Sequence, residues 1–324
     1  MLRSMRWAVG GSIAGLMLAG CALTSVPADA RVASVTSLPK IIAHRGGTGD
    51  APENTLEAIR QSVVHQADAM WLTVQLSKDG VPVLYRPADL SALTDAKGPV
   101  SALTAAELMR VNAGWSFRRG DAYPYRDRPL GIPTLREALR AIPLAMPVIL
   151  DMKALPAAPQ AEAVARVLSE ENAWSRVTIY STEADYQQSF AVYSQAKLFE
   201  SRDATRGRLV RVLLNQGCVD APAEHTSTAF ELHRAMTVVE KFTLGEGRSE
   251  VQATLWTPAT VACFRQKPDV RIVAIAVNNA SDYQRAACLG IDAVLADSPA
   301  KMVPVKMGMT LPLKCAGLDA TAHQ

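Results

Sequence analysis

Short apolar runs of β type alternate with helix-type segments from Lys40 almost to the C-terminus, and that alternation constrains the fold more than any other feature. Strand candidates fall at residues 41–43, 71–76, 81–85, 147–150, 177–180, 197–199, 237–239, 270–277 and 291–295. Between most of them lie segments with helical spacing, at 52–65 with Pro52 at its start, 135–142, 161–168 and 281–289. Strands separated by helices run parallel. About eight such units in roughly 260 residues suit an α/β fold of the (β/α)8 TIM barrel type, which carries its chemistry at the C-terminal ends of the strands. A doubly wound open sheet is the alternative. The chain shows no internal repeat that would point to a solenoid.

The residues ahead of Lys40 are of another kind. Arg3 and Arg6 precede an apolar stretch from Trp7 to Gly20, shorter than the roughly 20 residues of a spanning helix, so residues 1–20 read as an export signal. Its end, Leu18-Ala19-Gly20-Cys21, resembles the bacterial lipobox, whose Cys becomes the acylated first residue of the mature chain. An ordinary signal peptide with an incidental Cys is the competing reading. Two or more acyl chains on Cys21 would anchor the protein stably. Ala22, by resemblance to enterobacterial lipoproteins, favours the outer membrane facing the periplasm. Residues 21–39 then form a lipidated Cys and tether, 40–303 the barrel, and 304–324 a C-terminal tail.

Charge narrows the partners. The 34 Lys and Arg against 31 Asp and Glu leave a formal charge of +3, too little for the basic field that holds proteins on nucleic acid. No nucleic-acid partner is expected. Beyond Cys21, the chain has Cys218, Cys263, Cys288 and Cys315. In an oxidising envelope compartment they admit three pairings or remain buried thiols.

Candidate chemistry follows the first strand. In His44-Arg45-Gly46-Gly47 the glycines let the backbone turn tightly, Arg45 offers a fork for phosphate oxygens, and His44 can shuttle a proton near neutral pH. Ala51-Pro52-Glu53-Asn54-Thr55 then opens the first helix. A His-Arg-Gly triplet alone is equally a turn with a surface histidine.

The segment from His44 to Thr55 resembles the opening motif of the glycerophosphodiester phosphodiesterase family. The likeness continues through Ser77-Lys78-Asp79-Gly80-Val81-Pro82-Val83, through Gly98-Pro99-Val100-Ser101 and Asn112-Ala113-Gly114, and through Ile132-Pro133-Thr134-Leu135-Arg136-Glu137. It reaches Val277-Asn278 and Gly290-Ile291-Asp292-Ala293-Val294-Leu295-Ala296-Asp297-Ser298-Pro299. The resemblance implies a TIM barrel with a small insertion after the second strand. It also implies a divalent cation, Mg or Ca, on carboxylates of the second and third strands, with two histidines as acid and base on a phosphodiester.

Position by position, His44 matches the first histidine, Arg45 the phosphate-binding arginine and Glu53 the acidic residue of the helix opening. Asp151 and Lys153 match the third metal ligand and its companion lysine, Asp being the form of the sphingomyelinase D branch. Three positions depart. Trp71-Leu72-Thr73 stands where the family has Glu-x-Asp, so Trp71 and Thr73 replace two metal carboxylates and the cofactor becomes doubtful. Arg86 stands where the family has its second histidine, and arginine cannot exchange a proton. Asp151 and Glu53 facing Arg45, Arg86 and Lys153 leave one positive charge in excess, an anion-binding balance in which Arg86 substitutes for the metal.

Glu200 and Glu240 end strand candidates, so either is a candidate to join Asp151 around a relocated ion; a solvated carboxylate or an ion-pair partner for Arg202 or Lys241 is the plainer reading. His65, His225, His233 and His323 read as surface residues. Trp71 either stacks on substrate or packs in the core. The run Trp115-Ser116-Phe117-Arg118-Arg119 either meets a headgroup or packs as a lid.

Two functions stay open. One is a membrane-anchored hydrolase of glycerophosphodiesters or lipid headgroups, with His44 and Arg45 catalytic, Arg45, Glu53, Arg86 and Lys153 on the phosphate, and Asp151 and Glu53 as weak metal ligands. The other is a catalytically impaired relative that binds an anionic phosphodiester or envelope ligand.

Overall fold

The computed structural model describes residues 34–35 and 37–315. The expected export signal, Cys21, most of the expected tether and His323 lie outside the described residues. Strand β1 (Ser34–Val35) precedes the barrel strands β2 (Lys40–His44) and β3 (Ala69–Leu76). Strand β4 (Pro82–Leu84) turns back antiparallel on β3, and β5 (Val148–Met152), β6 (Val177–Ser181) and β7 (Ser227–Glu231) follow. A ribbon of β8 (Arg234–Phe242) and β9 (Gly245–Ala253) separates these from β10 (Arg271–Ile275) and β11 (Ala293–Ala296). Strand β12 (Leu313–Lys314) ends the described chain and pairs with β1.

The parallel sheet runs in the order β6-β5-β3-β2-β11-β10-β7. It closes through residues 197–200. Ile179 donates to the Lys197 carbonyl at 2.8 Å, Phe199 to Ile179 at 2.9 Å, and Glu200 to Ser227 at 2.8 Å. The barrel is therefore complete, with that short bridged segment as its eighth strand.

Side chains alternate across each strand, so every second residue faces the barrel axis. Ile42, Ala69, Trp71, Ile149, Tyr180, Phe199, Ala229, Val273, Ala293 and Leu295 fill the interior as one cluster. The intervening residues, such as Met70, Leu72, Leu150 and Val294, pack outward under the helices. The insertion has its own core around Tyr85, Leu90, Val100, Leu108 and Ile132.

Two strand expectations need correction. Residues 237–239 are not in the barrel but in the exposed ribbon β8–β9, and the sixth strand is β7, whose sequence Ser-Thr-Ala-Phe-Glu lacks an apolar run. It is a strand because alternation suits both surroundings: Ala229 fits the crowded interior, whereas Phe230 packs outward with Trp256 and Leu209. Residues 81–85 form the start of the insertion and not a barrel strand. The expected tail begins inside the helix Pro299–Met307, and the disulfide Cys288–Cys315 ties its later part to the helix Ala280–Cys288. The second disulfide joins Cys218 to Cys263.

Candidate functional site

His44 ends β2 two residues beyond Ile42, so its imidazole continues the inward row into the barrel mouth. Directly after it the chain turns sharply, with φ of +50° at Arg45, +78° at Gly46 and +103° at Gly47. A side chain at Gly47 would meet Ser62 Oγ at 2.5 Å, so the turn requires glycine there. Asn54, also at positive φ, returns the loop to the barrel: its N–H donates to the Arg45 carbonyl at 2.7 Å and its Oδ1 accepts from Thr73 N–H at 2.9 Å. Thr55 caps the helix Leu56–Val64 by accepting from Ala58 N–H at 3.2 Å.

The imidazole is oriented by the last barrel strand. His44 Nδ1 lies 2.6 Å from Asp297 Oδ1, and Asn278 donates to Asp297 Oδ2 at 2.8 Å while accepting from Asp297 N–H. The hydrogen bond from His44 holds the Asp297 carboxyl below the usual range, against its partial burial. An ionised carboxylate accepts, so Nδ1 carries the proton and Nε2 is left as the working nitrogen.

Asp151 sits two residues beyond inward Ile149 and pairs in register with Thr73. Burial raises its carboxyl, opposed by Lys153 and, more weakly, by His44 and Arg45, which puts all four groups in one electrostatic environment. Lys153 Nζ is 3.0 Å from Asp151 Oδ1 and 3.3 Å from Thr182 Oγ1. Arg45 Nη1 is 2.5 Å from Glu53 Oε2, which Thr48 also approaches at 3.2 Å. Arg86 is exposed; Gln75, donating to the carbonyls of Tyr85 and Pro87, fixes the backbone on either side of it. Arg45 and Lys153 stand with Asp151, Glu53 and Asp297, so the excess of positive charge expected from the sequence is not present among them.

Trp71 and Thr73 occupy the expected metal-ligand positions. Trp71 is 2% exposed and packs against Tyr180 at 4.7 Å and Phe199 at 5.8 Å between ring centroids, so it is core and not a substrate platform. Thr73 is fully buried and its Oγ1 has no hydrogen-bond partner. Glu53 Oε1 and Asn54 Nδ2 are likewise buried without partners.

Neither relocated carboxylate joins this group. Glu200 is bound by Arg208 Nε at 2.7 Å and by Thr205 Oγ1 at 2.9 Å, and Glu240 belongs to the exposed ribbon. The strand-end carboxylate at the mouth is Glu231, held by Arg202 and by Arg234 Nη1 at 2.8 Å. Among the other histidines His65 and His225 are exposed, while His233 binds Asp282 at 2.9 Å. In the insertion, Arg126 stacks on Tyr123 at 3.7 Å and Trp115 at 4.8 Å, and Arg119 donates to the Asp50 carbonyl at 2.9 Å, joining insertion and mouth. Two large cavities, one of about 790 Å³, open at the opposite end, among strand-start residues such as Lys40, Ala69, Val148 and Arg271, away from His44.

Residues 44–301 match the glycerophosphoryl diester phosphodiesterase family. The chain belongs to this family. It is 47% identical over 274 residues to the uncharacterized protein Rv2277c of Mycobacterium tuberculosis, covering 84% of this chain and 91% of that protein. The crystal structure of the glycerophosphoryl diester phosphodiesterase domain of Rv2277c aligns with a TM-score of 0.77 at 45% identity, covering 84% of this chain and 99% of that one. Rat glycerophosphodiester phosphodiesterase 1 is 41% identical over 98 residues, 30% of this chain and 28% of its own. A phosphodiesterase of Oleispira antarctica, in complex with the product sn-glycerol-3-phosphate, shares the fold at a TM-score of 0.60 and 22% identity, covering 83% and 97% of the two chains.

No role is expected from the sequence for Asp297, Asn278, Tyr180 or Glu231, and Arg202, expected as a carboxylate partner near Glu200, pairs with Glu231 instead. Asp297 and Asn278 were within the resemblance and readable from strand parity, two residues past Leu295 and just after Val277. Glu231 was hidden by the misplaced sixth strand.

Proposed function

We propose that this family member is a hydrolase of phosphodiesters, either glycerophosphodiesters or lipid headgroups, that works through His44 and without the family's divalent cation site. The observation that carries it is the His44–Asp297 hydrogen bond at a mouth that also presents Arg45 and Lys153. His44 Nε2 takes a proton from the attacking water as its oxygen bonds to phosphorus, the bond from phosphorus to the leaving oxygen breaks, and that oxygen gains a proton from solvent to depart as the alcohol, while His44 returns its own proton to solvent. Arg45 and Lys153 then hold the charge that grows on the non-bridging oxygens. Arg86, exposed at the rim, is an approach point for the anion.

The cation does not fit the residues offered to it. A divalent ion that prefers oxygen ligands asks for several anionic donors. Here one position is an indole packed among aromatics, one a neutral hydroxyl, and the two carboxylates, Asp151 and Glu53, already face Lys153 at 3.0 Å and Arg45 at 2.5 Å. No step is therefore assigned to a metal. The sn-glycerol-3-phosphate bound by the Oleispira antarctica relative supports a glycerol-bearing substrate. Acylation at Cys21 would set the enzyme at an envelope membrane.

The second reading, a binding protein that has lost turnover, is favoured by the same replacements at Trp71, Thr73 and Arg86. The separating experiment measures glycerophosphodiester hydrolysis by the full chain with added Mg or Ca, with chelator, and in His44→Ala. Chelator-resistant turnover lost in His44→Ala supports the proposal. Turnover that needs added metal overturns its metal-free part, and binding of sn-glycerol-3-phosphate with no turnover selects the second reading.

A further inference from the structure

We propose that Glu231, clamped by Arg202 and Arg234, is a subsite that recognises the hydroxyl groups of the alcohol esterified to the phosphate. The proposal rests on the phosphodiester reading of the mouth and names the part of the ligand which that reading leaves open.

Strand parity puts Glu231 in the mouth. Ala229 lines the barrel interior, and Glu231 stands two residues further along β7 on the same face. His44, Asp151 and Asp297 stand two residues beyond interior Ile42, Ile149 and Leu295 in the same way. All four therefore face the barrel axis just beyond interior residues of their own strands; by register Glu231 pairs with Ile275, which pairs with Leu295, two residues before Asp297. In the order of the barrel, β7 is separated from β2 by β10 and β11 on one side, so Glu231 faces the phosphate-side residues across the opening. Tyr180, in the barrel interior beneath, has its phenol raised by burial and by the Asp151 carboxylate, with Arg202 opposing and Glu231 adding to the rise.

Hydrogen bonding decides what Glu231 can take. Both arginines bind Oε1, Arg234 at 2.8 Å, whereas Oε2 is buried without any donor. A carboxylate that binds two guanidinium groups serves as an acceptor. Its missing partner is thus a donor. A cationic donor would add a third positive charge where two already exceed the one negative charge, so a neutral hydroxyl fits best. The ligand class is a phosphate ester of a hydroxyl-bearing alcohol.

The test compares binding of sn-glycerol-3-phosphate and methyl phosphate to the full chain by titration calorimetry, in wild type and Glu231→Gln. Wild type should prefer the glycerol ester by about tenfold or more, the size of a hydrogen bond to a charged group, and Glu231→Gln should bring the ratio close to one. Glu231→Asp, which keeps the charge for both arginines but withdraws the oxygen, should fold normally and lower the ratio too. That variant decides the matter if Glu231→Gln does not fold. An unchanged ratio in the variants, equal loss of both ligands, or no wild-type preference overturns the inference. Preference without any hydrolysis of glycerophosphodiesters would instead remove the hydrolytic reading and leave this subsite standing.

Discussion

His44 and Asp297, 253 residues apart in the chain, meet with Nδ1 and Oδ1 2.6 Å apart because β2 and β11 are neighbours in the closed barrel. The contact fixes both the tautomer and the direction of the ring, so Asp297 is a positioning residue for a proton carrier and not itself a proton donor.

Asp297→Asn should lower the hydrolytic kcat by about 10²-fold, the lower end of what an acid/base group contributes, and should shift the pH–rate profile, which a purely structural change would not do. A stability signature follows from the same pair. The folded-state pKa of Asp297 is depressed, so its stabilisation is full above the ordinary carboxylate pKa and is lost as pH falls through the lowered value. Denaturant titrations of wild type and Asp297→Asn should therefore differ at neutral pH and converge in acid. A gap that widens in acid would contradict the assignment.

Asp151 has the opposite sign. Burial raises its folded pKa, so its charge weakens the fold increasingly as pH rises from the ordinary carboxylate value toward the raised one, and Lys153 opposes that penalty. Lys153→Met should cost about 3–5 kcal/mol at neutral pH, as expected when one partner of a buried pair is removed, and less in acid, where Asp151 is protonated. Adding Asp151→Asn should recover most of the loss. If the single and double variants are equally unstable at pH 7, Lys153 is not what makes the buried carboxylate tolerable.

The barrel was readable because its strands alternate with helices and most are apolar on both faces, as parallel strands covered by helices must be. The sixth strand escaped because β7 turns the small Ser227 and Ala229 to the crowded interior and Thr228 outward, which leaves only Phe230 as a large apolar residue. The apolar residues at 237–239 mimicked it from an exposed ribbon. With β7 lacking an apolar run, Glu240 and not Glu231 looked like the strand-end carboxylate. His44 and Arg45 were suggested by the chemistry of their turn, and they and Asp151 became legible as site residues only through the family resemblance. Their partners were not equally so, since the Asp297 contact crosses the whole chain and the Arg202–Glu231 pair depends on barrel closure.

Reducing the disulfides should destabilise the barrel without removing the mouth residues. Cys218–Cys263 and Cys288–Cys315 close segments of 45 and 27 residues, and chain entropy assigns each about 3–4 kcal/mol. Paired Cys-to-Ser variants should lower the denaturant midpoint with little change in the slope. The pair at 288 and 315 should also loosen β12 against β1, read as faster amide exchange at Leu313 and Val35. Unchanged exchange there would show that the strand pair holds without the covalent tie.

Restoring the family's carboxylates should separate two roles that one position now combines. Trp71 is packed between Tyr180 and Phe199 in the barrel interior, so Trp71→Glu removes a large buried side chain and inserts a charge, with an expected loss of at least about 3–5 kcal/mol. The triple reversal Trp71→Glu, Thr73→Asp, Arg86→His will carry that loss whatever chemistry it gains. Thr73→Asp is the cleaner probe. Thr73 pairs in register with Asp151 and its hydroxyl has no partner, so the new carboxylate lies beside an existing one and repels it until a cation intervenes. Added Ca or Mg should therefore raise the Tm of Thr73→Asp well beyond any rise in wild type, as a ligand bound only by the folded state must. A Thr73→Asp protein indifferent to both ions would mean that Lys153, and not the absent carboxylates, keeps divalent ions from Asp151, and Thr73→Asp with Lys153→Met would then be the variant that gains the response.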